Sequence, residues 1–372
     1  MTFYLTNKVK KELSLKGTLP KGETKEAWHV TVEEYEGGEQ VYVFTHVLTA
    51  YTIILFNPDL YHGIMETFVN ALKKSLEFEG FKESVVSAYL EELKTKDFMK
   101  TADRQVIAQT TDRKHMHQIF YEYHPKDTPY GCILNYKINH SLYKDFYPIQ
   151  AMFDYMKKYE ETPLNSELYT LRVAIHLDNK TISRTLSVPS NRSLYGFHIV
   201  LQKAFGWHNM HLFEFMSDDV KTRFAMPDPE FDSKDDVSVY HHTVETLFQK
   251  SMNWTYIYDF GDYWQHEITL LKTSVEEGLS TPVCLAYSGD NLVEDSGGIS
   301  GYESLMAILE DKTDPEYEDA YAYYKKMHKP FNFFMLNKAL MHNTPYVVDH
   351  SPLSELYNSI SESFFSGGFE DE

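Results

Sequence analysis

The chain has 372 residues, long enough for two hydrophobic cores, and its 42% hydrophobic and 15% aromatic content is that of a folded protein rather than a disordered one. Its 55 acidic residues against 35 basic ones leave a formal charge of -20, which repels phosphate backbones and anionic membranes at long range. Unaided nucleic-acid binding is therefore disfavoured, and partners are expected among proteins or small molecules rather than nucleic acid.

The two cysteines, Cys132 and Cys284, are too few for a disulfide framework in a chain of this size. The first residues lack a basic segment followed by an apolar run, and no apolar stretch reaches the roughly 18 residues of a spanning helix. These features point to a cytoplasmic protein with no membrane segment.

In chain order, a strand-like "TFYLT" is followed by two alternating runs, "AWHVTVEEYE" and "EQVYVFTHVL", joined at Gly37-Gly38 as a turn. A further strand, "AYTIILF", stops at Asn57-Pro58, where Pro58 cannot continue a ladder. Ile64, Phe68, Leu72 and Leu76 recur at helical spacing, Gly80 breaks the pattern, and Val85, Val86, Tyr89, Leu90 and Leu93 resume it. Residues 1–124 are thus expected to form a small α+β domain, an antiparallel sheet covered by helices. A linker at 125–167 carries one helix, "YPIQAMFDYMKKYEE".

From 168 to 345 a second α+β domain is expected, with an acidic tail at 346–372. Leu171, Val173, Ile175 and Leu177 alternate with polar positions, Asp178 to Lys180 turn the chain, and Ile182, Arg184, Leu186 and Val188 form the return strand. Leu194, Phe197, Val200, Leu201 and Ala204 lie on one helical stripe ending at Gly206, and the strand "MHLFEFM" follows. Hairpin, helix, strand and a further hairpin are the order of a β-grasp-like core.

That further hairpin, "YDFGDYWQHEI", carries the candidate site. With Gly261-Asp262 as a two-residue turn, Phe260 opposes Tyr263, Asp259 opposes Trp264, Tyr258 opposes Gln265 and Ile257 opposes His266. Ile257, Asp259, Trp264, His266 and Ile268 then share one apolar face, with Asp259 diagonal to His266. An ionised aspartate there needs a donor, since an unpaired buried charge costs on the order of several kcal/mol, and a neighbouring histidine supplies one.

His211, on the Phe213 and Phe215 side of its strand, converges on the same face if the two strands are neighbours. The candidate pocket is therefore His211, Phe213, Asp259, Asp262, Trp264, His266 and Tyr302. Within it His211, Asp259 and His266 are a possible divalent-metal triad or acid/base set. The same residues also read as a hairpin closer, a satisfied core histidine and packing aromatics.

The glycine-rich "EDSGGISGYESL" lacks the lysine of a phosphate loop, and Glu294 and Asp295 would repel a phosphate. Ser300 and Glu303 fit a capping box opening the helix "YESLMAIL". Three functions remain open: a binding or interaction protein with an aromatic, His/Asp-lined pocket; a metal-dependent hydrolase or nuclease using His211, Asp259 and His266; and an acidic inhibitor of a nucleic-acid-binding enzyme.

The order "ISRTLSVP", "AFGW", "HLFEF", "YIYDFGDYWQHEI" and "EDSGGISGYESL" makes residues 168–340 resemble the plasmid pRiA ORF-3-like family, found in bacteria and archaea and on mobile elements. The resemblance implies the fold but no established activity. The family hairpin often reads Trp-Arg-Arg where this chain has Ser183, Arg184 and Thr185. Relatives also carry cysteines before and within the glycine-rich segment; here Cys284 is kept but Ser296 replaces the other, so a cysteine-based zinc site would lack ligands. The first half resembles an uncharacterised domain family with a tryptophan-histidine pair, here Trp28-His29. That family's Arg-Ser-Val-x-Gly element reads Asp103 to Gln109 in this chain, with Ala108 at the glycine.

Overall fold

The computed structural model describes residues 1–34, 38, 40–56, 63–101, 103–122, 132–217, 222–225, 236–239 and 242–341. The opening apolar run forms strand β1 (Thr2–Leu5), followed by helix α1 (Asn7–Glu12) and strands β2 (Lys21–Gly22), β3 (Ala27–Glu34), β4 (Gln40–His46) and β5 (Thr52–Phe56). Helices α2 (Ile64–Glu79) and α3 (Glu83–Glu92) come next, separated by Gly80 as the spacing predicts. Strand β6 (Asp97–Thr101) and helices α4 (Arg104–Glu122), α5 (Cys132–Asn139) and α6 (Pro148–Met156) complete this part.

The six strands form one sheet, ordered β2-β6-β1-β3-β4-β5. β3, β4 and β5 pair antiparallel, but β1 runs parallel to both β3 and β6. The sheet is mixed where alternation alone suggested an antiparallel one, because a period of two marks a strand without setting its neighbour's direction. Phe3, Trp28, Phe44 and Ile53 pack with Phe68, Leu72, Val85 and Met152 in the main core, while Val43 and Ile54 meet Leu134 and Ile138 of α5. Burial on both faces explains why β5 reads as the continuous apolar run "TIILF". Helix α6, assigned to a linker on sequence grounds, contributes Ile149, Met152, Phe153 and Met156 to this first core.

The second part contains β7 (Asn165–His176), β8 (Thr181–Pro189), α7 (Leu194–Phe205), β9 (Phe213–Ser217), β10 (Arg223–Ala225), β11 (Asp236–Ser238), α8 (Val244–Phe248), β12 (Asn253–Tyr258), β13 (Trp264–Glu277) and β14 (Val283–Ser288). Helices α9 (Gly298–Glu310), α10 (Tyr317–Met327) and α11 (Phe333–Met341) follow. The eight strands are ordered β11-β10-β9-β12-β13-β7-β8-β14. The element order expected from sequence is present, and β12 separates β9 from β13.

Helix α7 begins where Ser193 Oγ accepts from Gly196 N at 3.1 Å and ends at Gly206. Its stripe of Leu194, Phe197, Val200, Leu201 and Ala204 is fully buried against the sheet. Each of the larger side chains contributes roughly 2 kcal/mol of burial. The two cores meet at a polar seam: Asn165 N donates to Gly80 O at 2.9 Å and Asn191 Nδ2 donates to Phe78 O at 2.8 Å. Gly37, Pro58, the turn expected at 124–131 and the tail at 346–372 lie outside the described residues.

Candidate functional site

The hairpin between β12 and β13 closes through five residues, Asp259 to Tyr263, not two. Tyr258 pairs with Trp264, Ile257 with Gln265 and Tyr256 with His266, one step away from the register that a Gly261-Asp262 turn would set. The cause is the Asp259 side chain: its Oδ1 accepts from Gly261 N at 2.9 Å and Asp262 N at 3.3 Å, while Tyr263 N donates to Asp259 O at 2.6 Å. Asp259 and Tyr263 both adopt left-handed backbone angles, φ 60° and 57°. A one-residue shift exchanges faces, so Ile257 leaves the His266 side and Asp259 leaves the strand altogether.

His266 consequently has no acidic partner among the described residues. It is fully buried; its Nδ1–H is shared between Tyr256 O at 3.2 Å and Trp264 O at 3.1 Å, and its Nε2 accepts from Trp207 Nε1 at 3.0 Å. Burial pushes the imidazole down to about 3, an effect the two carbonyls only partly oppose. Both ring nitrogens are spent on the protein, so the expected triad of His211, Asp259 and His266 is not assembled.

The residues that do converge are His211, Asp259 and Asp295. His211 Nε2 lies 2.9 Å from Asp295 Oδ1 and 3.5 Å from Asp259 Oδ2, and one ligand atom from each residue lies within 4.8 Å of the others. A third carboxylate, Glu294 Oε1, stands 3.8 Å from the same nitrogen. Asp259 and Glu294 are buried, whereas the His211 and Asp295 side chains keep 29% and 42% of their surface exposed, so the cluster opens to solvent on one side.

A buried network fixes the segment that presents His211. Glu294 Oε2 accepts from His208 N at 2.5 Å and lies 2.9 Å from His208 Nδ1, and Glu294 Oε1 accepts from Tyr258 OH at 2.5 Å. Tyr258 OH in turn accepts from Met210 N at 3.0 Å, and Asn209 N donates to Gln202 Oε1 at 2.8 Å. Burial first, then the Glu294 bond, raise the Tyr258 hydroxyl well above its ordinary value, so it acts only as a neutral linker. Tyr323 OH holds the other side, donating to Glu294 O at 2.7 Å and Asp295 O at 2.8 Å.

The remaining expected pocket residues are dispersed. Phe213 is buried and stacked on His198 at 3.6 Å between ring centroids; burial pushes His198 down to about 4. Trp264 packs on Trp207 at 5.2 Å. Tyr302 is buried on α9 with Lys180 Nζ 5.5 Å from its ring centre. Asp262 Oδ2 accepts from Gly297 N at 3.0 Å and caps α9. That helix starts at Gly298, so Ser300 lies inside it and the expected Ser300/Glu303 capping box does not form; Glu303 instead accepts from Asp178 N at 2.9 Å. Cys284 is buried and bonded through its backbone to Asn337, and the one His/Cys/Asp/Glu group close enough to hold a metal among the described residues does not include it.

Sequence reasoning missed Asp295, Glu294, His208 and Tyr258. The available signal was the Glu294-Asp295 pair, two adjacent acids ahead of glycines, which reads as repulsion toward phosphate and equally as attraction toward a cation.

The fold is that of a two-part α+β protein with a histidine-carboxylate cluster carried by loops at one end of its second sheet. Residues 167–338 match the model of the plasmid pRiA4b ORF-3-like protein family, and residues 2–151 match that of a domain of unknown function (DUF6933). The chain is 32% identical over 179 residues to the uncharacterized protein y4hQ of Sinorhizobium fredii (strain NBRC 101917 / NGR234), spanning 46% of this chain and 90% of that relative. Through its C-terminal part the chain belongs to the plasmid pRiA4b ORF-3-like family. A crystal structure of a protein of unknown function from Methanosarcina mazei Go1 is 28% identical, with a TM-score of 0.40, covering 47% of this chain and 98% of that one.

Proposed function

We propose that the protein is an intracellular binding protein whose C-terminal part holds a divalent cation at His211, Asp259 and Asp295, and that this ion takes part in recognising a protein or small-molecule partner. The observation that carries the reading is the convergence of three carboxylates on one imidazole: Asp295, Asp259 and Glu294 oxygens at 2.9, 3.5 and 3.8 Å from His211 Nε2. Three carboxylates thus gather around the imidazole of His211, with His208 beside Glu294 as a further basic group. Like charges this close in a partly desolvated site repel unless a cation neutralises them.

One imidazole and two carboxylates suit Mn, Fe, Ni or Zn better than Ca, which favours all-oxygen sites. Three protein ligands leave positions open for water or a partner's donor group, on the side where His211 and Asp295 are exposed. The buried Glu294 bonds His208 and Tyr258, and so supports the ligand segment from behind.

The test is calorimetric titration of chelator-treated full-length protein with Mn²⁺ and Zn²⁺. One ion per chain should bind, and both His211→Ala and Asp295→Asn should weaken it by about a hundredfold. An unchanged affinity in these folded variants, or no binding by the wild type, refutes the reading.

A further inference from the structure

Beside the same hairpin loop lies a cleft of about 640 Å³, lined in part by the outward face of β12 and β13. Thr255, Gln265 and Glu267 come from that face, His176 from the end of β7, and Asp262 and Tyr263 from the loop. The register accounts for the arrangement: Thr255 pairs with Glu267, and Gln265 alternates with the buried Trp264 and His266. The lining contains two carboxylates and neither lysine nor arginine among the described residues. An anionic ligand would find no counter-charge there.

Each carboxylate keeps an oxygen in reserve. Asp262 Oδ2 is committed to Gly297 N and Glu267 Oε2 to His176 Nε2 at 3.0 Å, while Asp262 Oδ1 and Glu267 Oε1 accept no hydrogen bond among the described residues. The Thr255 and Gln265 side chains likewise make none there. Beside them stands the Tyr263 ring, with 47% of the residue exposed.

Tyr263 occupies a left-handed backbone conformation, φ 57°, that is strained for a bulky residue and that glycine or asparagine would adopt more readily. Its ring packs into no core cluster of the described residues that would offset this cost. An exposed aromatic face beside two half-satisfied carboxylates is the arrangement that recognises an organic cation, through cation–π attraction and charge-assisted hydrogen bonds.

We propose that this cleft binds an alkylammonium or alkylguanidinium group, whether on a free amine or on a basic side chain of a peptide. The cleft shares the hairpin loop with the His211 cluster but none of its lining residues belongs to that cluster, and the variants below replace no residue of it. The full chain is titrated with agmatine, cadaverine, an Arg-containing tripeptide and neutral glucose as control, by calorimetry and by ligand-observed NMR at low and high salt.

Agmatine or cadaverine should bind with an affinity that falls as salt rises. Glu267→Gln should weaken it about tenfold, and Tyr263→Gly about threefold while the melting temperature holds or rises. Tighter binding of the tripeptide than of the free amines assigns the site to a basic peptide, and the reverse order assigns it to a small amine; both support the proposal. Binding of glucose but not the amines overturns it, as does absence of binding at millimolar ligand or amine binding unaffected by both substitutions.

Discussion

The Asp262 carboxylate caps the helix begun by the glycine-rich segment, its Oδ2 accepting from Gly297 N at 3.0 Å. The anion that Gly297 of "DSGGISGY" holds is thus a side chain of the same protein. The approach is close enough that only glycine fits at the next residue: Gly298 has φ 69°, and a Cβ there would collide with the Asp262 carbonyl oxygen. Gly298→Ala is expected to cost about 2–4 kcal/mol, combining left-handed strain with a backbone clash. Asp262→Ala should cost about 1 kcal/mol, the worth of a cap. Chemical denaturation measures both, and a Gly298→Ala protein as stable as wild type would show that the loop and α9 are not packed this tightly.

Arg184 ties together four segments of the second part. Its Nε donates to Ala204 O at 2.8 Å, NH1 to Ser183 O, Ser288 O and Gly289 O at 2.9, 3.0 and 3.1 Å, and NH2 to Asn291 Oδ1 at 3.0 Å. The guanidinium also stacks on Phe331, 3.9 Å from the ring centre. Burial lowers its pKa to about 10, which leaves it cationic at neutral pH. A lysine offers neither the planar fork nor the stacking face, so Arg184→Lys should cost about 3 kcal/mol. A shift of several degrees in melting temperature checks this, and an unchanged value would refute the clamp. Because Asn291 leads into Asp295, the same variant should also weaken cation binding.

Helix α2, its break at Gly80 and the buried stripe of α7 are legible in the sequence because spacing and turn chemistry are properties of neighbouring residues. The β12–β13 register is not, since it depends on the Asp259 side chain standing in for a strand partner while two residues adopt positive φ. From that one step follows the misplacement of His266, as a strand's period of two turns a single slip into a change of face. Asp295 escapes for another reason. Its proximity to His211 is created by packing between distant segments, held by Tyr323 and Asp262, and no local pattern encodes it.

Among the described residues four histidines are held neutral by burial: His29 and His198 are pushed down to about 4, His46 and His266 to about 3. In the unfolded chain they titrate near 6.5. Between that value and about 4 the unfolded state therefore binds more protons than the native one, and stability falls as pH falls. Each histidine contributes a slope of about 1.4 kcal/mol per pH unit in that window. Two lie in each part of the chain, His29 and His46 in the first, so both parts should weaken together. Urea midpoints at pH 7.5, 6.0 and 5.0 should decline progressively, and a flat profile would mean that these rings are solvated or already charged in the native state.

His211 and His266 should separate function from stability. His266 fills a core site and receives Trp207 Nε1, so His266→Ala leaves an indole donor unpaired and a cavity beside Phe205. Its expected cost is about 2–4 kcal/mol. The cation affinity of the molecules that remain folded should change less than threefold, because His266 touches none of the three proposed ligands. His211→Ala removes a partly exposed ring from among three carboxylates, and its cost to stability should stay within about 1 kcal/mol. Cation binding should weaken with it by about a hundredfold. Urea denaturation paired with calorimetric titration of the two variants reads both quantities, and loss of the cation in His266→Ala alone would return the site to the core face of β13.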